Sequence, residues 1–353
     1  MPDMLQGKGS RPRVLRALRG ASLPAYAGGK TIQGAEMRKL GWLLGFALVA
    51  SAAHAQPFPA KPIRAIVPFP AGSATDGMAR LISAHFTKVF GHGLIVENMV
   101  GATGTIASRA TAKAAPDGYT IMFSTNSTHS ANAYLYNNLG YDPIGDFTPL
   151  ALLSRAPHAM VVRADTPYRS FKDFIAAAKG NPDKLNFGYG NTGSLAGGAM
   201  LNAYAGIKTT AVSYRGTPQV TTDLLGGQIE FVVMDVSTTQ EHVKAGKLRT
   251  LAVTGLTRME IFPDAPTMIE LGHPDFVLFS WNGVHAPAGV PGEIVAILNK
   301  AIRDAINSPE GRRFYEALGA EIGTMPAAEF EDFVKQELKR WDGIIALTGL
   351  PKQ

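Results

Sequence analysis

Between residues 62 and 253 the chain alternates between short β-branched apolar runs and stretches with helical apolar spacing. This alternation constrains the fold more than any other feature. Strand, helix and strand joined by short loops build sheets covered on both faces, the α/β class. Pro62–Phe69 (PIRAIVPF) reads as a strand ending in the turn residues Pro70-Ala71-Gly72. Thr75–Phe90 then carries Met78, Leu81, Ile82, Phe86 and Val89 on one helical face. Further strands are expected at 94–97, 119–124, 159–163, 186–189, 210–214, 230–234 and 250–253, with helices between them. Mainly parallel sheets follow from that order. After Gly255 a Pro-rich, irregular piece runs to about Pro291, and the tail from Gly292 to Thr348 is helical. With 353 residues the chain exceeds what one core usually supports, so two domains are expected.

The N-terminus is an address, not part of the fold. Arg38 and Lys39 precede an apolar run of 13 residues, Leu40–Ala52, and Ala53-His54-Ala55 supplies small residues at a cleavage position. Thirteen apolar residues are too few to span a bilayer of ~30 Å, so a secretory signal over 37–55 is expected. The cut falls after Ala55 and the product is exported to the periplasm. Residues 1–36 are basic and without period, and either Met1 or Met37 is the start. No later stretch reaches 18 apolar residues, and the absence of Cys leaves no disulfide and no lipid-modified cysteine.

The net charge of +6 is confined to the address. Residues 1–55 hold eight Lys or Arg and two acids; the remainder is balanced at 26 of each. A neutral body has no electrostatic footprint for nucleic acid. The eight His are scattered with no pair at ligand spacing, so no metal and no other cofactor is expected. No G-x-S-x-G, H-E-x-x-H or Walker loop occurs, so no catalytic residue is assigned and the chain does not read as an enzyme.

Several strand ends carry polar loops. Gly72, Ser73, Ala74, Thr75 and Asp76 open the first helix, where free N–H groups and the helix dipole suit an anion. Ordinary N-capping by Ser73 or Thr75 fits equally. Thr125–Asn132 packs hydroxyl and amide side chains behind a strand, as a ligand loop or a solvated turn. Gly188–Ser194 matches G-x-G-x-x-G, but no acid follows about 20 residues on, so only an N–H nest for a small anion survives. Arg215 is placed to meet a carboxylate or to form a surface ion pair. Asp235 is placed to accept from a ligand hydroxyl or amine, or to cap a helix.

Taken in order, KPIRAIVPFPAGSATDGMAR, VENMVGATGTIAS, APDGYTIMFSTNSTHSAN, SYRGTPQVTTDLLGGQIEF, GKLRTLAVTG and WNGVHAPAGVP resemble the Bug family. These are the extracytoplasmic solute-binding proteins of tripartite tricarboxylate transporters. The resemblance covers essentially all of 56–353. It implies a type II periplasmic-binding-protein fold with two α/β domains around a ligand cleft, here 56–155 plus 282–353 and 156–281. It implies a small organic carboxylate as ligand, membrane permease subunits as partners, and a monomer. Its binding residues carry over to Gly72–Asp76, to Ser127, Thr128 and Asn132, and to Thr192, Gly193, Ser194, Tyr214, Arg215, Gly216 and Asp235. Two departures stand out. Ser73 replaces a frequent Gly, and Leu195-Ala196-Gly197-Gly198 replaces a segment that often carries His. A sensor feeding a membrane kinase and a carboxylate-acting enzyme are the alternatives.

Overall fold

The computed structural model describes residues 58–352, so the signal expected at 37–55 lies outside the described residues. Strands β1 (Ile63–Val67), β2 (Leu94–Asn98), β3 (Thr120–Thr125) and β4 (Phe147–Pro157) belong to a first sheet. Strands β5 (Ala159–Arg163), β6 (Asn186–Tyr189), β7 (Thr210–Ser213), β8 (Phe231–Met234) and β9 (Leu248–Val253) form a second. Strands β10 (Phe279–Pro287) and β11 (Glu321–Ile322) return to the first. The orders are β11-β4-β10-β3-β1-β2 and β7-β6-β8-β5-β9. The longer helices are α1 (Ala74–Phe90), α2 (Thr105–Ala112), α3 (Phe171–Gly180), α4 (Thr192–Ala205), α5 (Thr217–Leu225), α6 (Gly292–Asn307), α7 (Pro309–Ala317) and α8 (Ala327–Thr348).

Both sheets are mixed, which corrects the expectation of mainly parallel ones. Pairs β1–β2, β1–β3, β6–β7 and β6–β8 are parallel. Strand β10 runs antiparallel to β3 and β4, and β5 antiparallel to β8 and β9. The cause is the way the chain changes sheets. Only His158 separates β4 from β5, and β10 brings the chain back. Strands beside a crossing enter from the far side, against the direction set by strand–helix–strand units. The crossing is stapled by backbone bonds: Thr254 N donates to His158 O (2.9 Å) and Leu278 N to Thr254 O (3.1 Å). Strand β10 lies inside the piece expected to be irregular.

Each sheet holds its own core. In the first, Ile63, Ala65 and Val67 of β1 pack with Met78, Ile82 and Phe86 of α1 and Leu298 and Ile302 of α6. In the second, Phe187 and Phe231 pack with Phe174 of α3 and Leu201 of α4. Fully burying one such side chain contributes about 1.5–3 kcal/mol. Helix α8 joins the two. Its Phe330 and Val334 pack on Leu152 and Trp281 of the first sheet, whereas Trp341 and Ile344 enter the second sheet's core. Among the described residues no helix is long and apolar enough to cross a membrane.

Candidate functional site

A cavity of about 40 Å³ lies between the two sheets, lined from the carboxyl ends of β1, β3, β6 and β8, from the last residues of β4 and from the first residues of β10. Ligands of open α/β sheets sit in that position. The cavity shares Phe69 and Gly190 with a wider opening of about 630 Å³.

The first wall is the loop into α1. Gly72 has φ +82°, a conformation that L side chains rarely adopt, and it turns the chain into the helix. Ser73 is the N-cap; its Oγ accepts from Asp76 N (3.3 Å). Among the described residues the N–H groups of Ala74 and Thr75 have no hydrogen-bond partner, and both residues line the cavity with Ser73. Thr75 Oγ1 donates to Asn282 Oδ1 of β10 (3.0 Å), which ties the loop to the sheet. Asp76 points elsewhere. It accepts from Gly72 N (3.1 Å), Asn98 Nδ2 (3.0 Å) and both forks of Arg80 (2.9 and 3.0 Å). Burial alone would raise its pKa, but Arg80, Asn98 and Gly72 outweigh that and hold the carboxyl below its usual range. Asp76 therefore shapes the loop rather than lining the cavity.

The polar stretch after β3 is not a solvated turn. Residues 124–132 are all buried, and 127–131 form a π-helical turn. Thr125, Asn126 and Ser127 line the cavity. Thr128 faces inward, with its Oγ1 on Thr125 O (3.1 Å) and beside His129 Nδ1 (2.9 Å). Asn132 reaches the second half, accepting from Thr192 Oγ1 (2.9 Å).

The second wall resembles the first in outline but not in its bonding. Gly190 and Asn191 line the cavity. A Cβ at Gly190 would lie 2.4 Å from the Gly216 carbonyl carbon, so only glycine lets the end of β6 pass this turn. Most of the N–H groups expected to form an anion nest are already paired; Gly193 N is left over among the described residues, but Gly193 lies outside the cavity lining. Ser194 Oγ accepts from Gly190 N (3.2 Å) and Asn191 N (3.3 Å), and Asn191 Oδ1 accepts from Ser194 N (2.8 Å). Thr192 N donates across the cleft to Ser127 Oγ (3.1 Å). Gly193 packs against His158 and Asn126. Tyr214 and Arg215 line the wider opening, where Tyr214 Oη donates to Asp223 (2.7 Å). Gly216 abuts Pro70 of the first loop. Asp235, directly after β8, reaches the cavity itself.

Sequence reasoning missed the side chains from β4 and β10: Ser154, Ala156, Ser280, Trp281 and Asn282 all line the cavity. No local motif marks them, because long-range pairing alone brings these strands to the site. Four lining atoms are buried without a partner among the described residues: Thr125 Oγ1, Asn126 Nδ2, Ser154 Oγ and Trp281 Nε1. Each such group costs about 1–3 kcal/mol unless something meets it. Among the described residues no group of three or more His, Asp or Glu is placed to hold a metal.

Comparison with known proteins agrees with this fold. A family model described as the tripartite tricarboxylate transporter family receptor matches residues 78–350. A protein of R. palustris solved with adipate superposes with a TM-score of 0.81 at 31% identity, over 84% of this chain and 100% of that one. The periplasmic binding protein BugD gives 0.80 at 33% identity, over 84% and 100%. MatC from Rhodopseudomonas palustris, solved with bound malate, gives 0.78 at 32% identity, over 82% and 100%. The chain thus belongs to the tripartite tricarboxylate transporter receptor family, as a periplasmic solute-binding protein of type II fold and not an enzyme.

Proposed function

We propose that this receptor captures a small organic carboxylate between its two sheets and delivers it to the membrane permease subunits of its transporter. The observation that carries the reading is the α1 terminus. Free N–H groups of Ala74 and Thr75 belong to residues lining a cavity in which two further donors, Asn126 Nδ2 and Trp281 Nε1, are also unpaired among the described residues. Donors converging at a helix N-terminus suit a carboxylate without any cationic side chain.

The two relatives named above with ligands bind adipate and malate, both small dicarboxylates. The lobes of this reading follow the expected 56–155 plus 282–353 and 156–281, with the first extended by the ends of β4 and β10 to Pro157 and back to Phe279, and they close about the His158–Thr254–Leu278 staple. A ligand shifts that equilibrium only by its differential affinity for the open and closed states. The acting form is the monomer 56–353, released by cleavage after Ala55.

The test is a thermal-shift screen of ligand-stripped 56–353 against di- and tricarboxylates, amino acids and aromatic acids, followed by calorimetry. A ligand at ~100 times Kd adds about 2.7 kcal/mol, a Tm rise of several degrees. A rise with one chemical class supports the reading. No rise with any carboxylate, in a protein shown to be folded, overturns it.

A further inference from the structure

We infer that the ligand carries, beside its carboxylate, a hydrogen-bond donor (an ammonium or a hydroxyl) that Asp235 receives. The inference rests on the carboxylate reading of the same cavity. Among the described residues Asp235 is the only ionisable one lining it; no Lys, Arg or His does so. It enters from the second sheet, opposite the α1 terminus, and caps the short turn Val236–Thr238. Its Oδ1 is engaged, accepting from Ser237 N (3.3 Å) and from Ser237 Oγ. Its Oδ2 has no partner among the described residues, so one acceptor is left for whatever fills the cavity.

Charge then selects the ligand. A plain dicarboxylate would bring two negative charges to a site that already holds one and offers no cation, in surroundings poor in water. Like charges so placed strongly disfavour each other. A hydroxyl or ammonium on the ligand reverses the sign of that contact, while the carboxylate stays on the donors of α1. Rejection of the analogue that lacks the donor is also the sharper discrimination, because it leaves the acceptor in the cavity wall unmet. Burial pushes the Asp235 pKa upward, and the two Ser237 bonds oppose that rise.

The experiment uses matched probes on 56–353: succinate, malate and aspartate, then glutarate, 2-hydroxyglutarate and glutamate. Within at least one set, a donor-bearing acid is expected to bind tenfold or more tightly than the plain diacid. Asp235→Asn keeps the size of the side chain and its acceptor for Ser237, and is expected to cut that ratio below threefold. A plain diacid that binds wild type as tightly as its substituted partners overturns the inference and leaves the carboxylate reading intact. So does a ratio unchanged in Asp235→Asn. Failure of all six, and of the wider carboxylate panel above, to bind folded protein overturns both. The wild-type comparison decides even where the variant does not fold.

Discussion

Two helices of this protein begin alike and end up doing different things. Both α1 and α4 follow a parallel strand, open with small and hydroxylated residues, and point their positive ends at the cleft. In α1 the cap is minimal. Ser73 satisfies one N–H, Asp76 turns back onto Gly72, Asn98 and Arg80, and the N–H groups of Ala74 and Thr75 stay open. In α4 a reciprocal capping box between Asn191 and Ser194 takes up two donors, Thr192 N goes to Ser127 across the cleft, and Gly193, whose N–H is left over among the described residues, lies outside the cavity lining. A helix N-terminus can thus serve as an anion site only where its own side chains leave donors over and those donors face the cavity. The same signature otherwise gives a latch between the halves.

The largest test of that difference is a pair of substitutions. Asp caps a helix as well as Ser does, so Ser73→Asp keeps α1 while placing a charge among the open donors. Carboxylate affinity by calorimetry is expected to fall 100-fold or more. Ser194→Ala removes the acceptor of Gly190 N and Asn191 N. It is expected to cost about 1–3 kcal/mol of stability and to change affinity less than threefold. Retained affinity in Ser73→Asp removes the anion from α1. A large affinity loss with unchanged stability in Ser194→Ala moves it to α4.

How much of this was legible beforehand follows the range of each interaction. The α1 loop and Asp235 were readable because a strand, a cap and a helix lie within a few residues. At the α4 terminus the sequence left a nest open, since Ser194 serves equally as a ligand donor or as a cap, and the structure shows it capping. Ser154, Trp281 and Asn282 left no local trace. Asn282 meets Thr75 across 207 residues of chain, and its strand sits in a Pro-rich piece without clear alternation. The polar stretch 125–132 was recognised for its composition, but its burial depends on α8 packing over it, which no nearby residue announces.

Acid separates the two termini next. Around α1 the charges are paired. Asp76 has its pKa lowered, so its contribution is present above the unfolded carboxyl value and is lost only as pH falls below about 4. Behind α4 stands His158, which a Cβ on Gly193 would approach to 2.9 Å. Burial first, and Arg340 second, lower its pKa to about 3. The unfolded chain takes up this proton near pH 6.5 and the folded one refuses it, so stability is full above 6.5 and declines from there toward pH 3. Burial lowers His129 and His285 in the same direction, whereas Asp235, with its pKa raised, works the other way. The unfolding free energy from urea titrations is expected to fall between pH 7 and 5, by up to ~1.4 kcal/mol per pH unit for each buried His. His158→Asn is expected to flatten the slope by one proton's share. An identical slope in the variant shows that His158 is not among the groups kept neutral.

The smallest effect isolates the latch itself. Thr192 lies outside the cavity lining, yet its Oγ1 holds Asn132 and its N–H holds Ser127. Thr192→Val keeps the shape and the N–H bond and deletes only the hydroxyl. Asn132 still donates to Thr103 O (3.0 Å), so the first half loses little order. If Thr192 acts only between the halves, the closed state alone is weakened. A single neutral hydrogen bond is worth about 0.5–1.5 kcal/mol, so a loss of roughly threefold in affinity is expected. It should fall on the dissociation rate in stopped flow, because the open form that meets the ligand is unchanged. A loss as large as that of Ser73→Asp would mean that the Thr192 hydroxyl touches the ligand, and α4 would then join α1 as part of the site rather than its fastening.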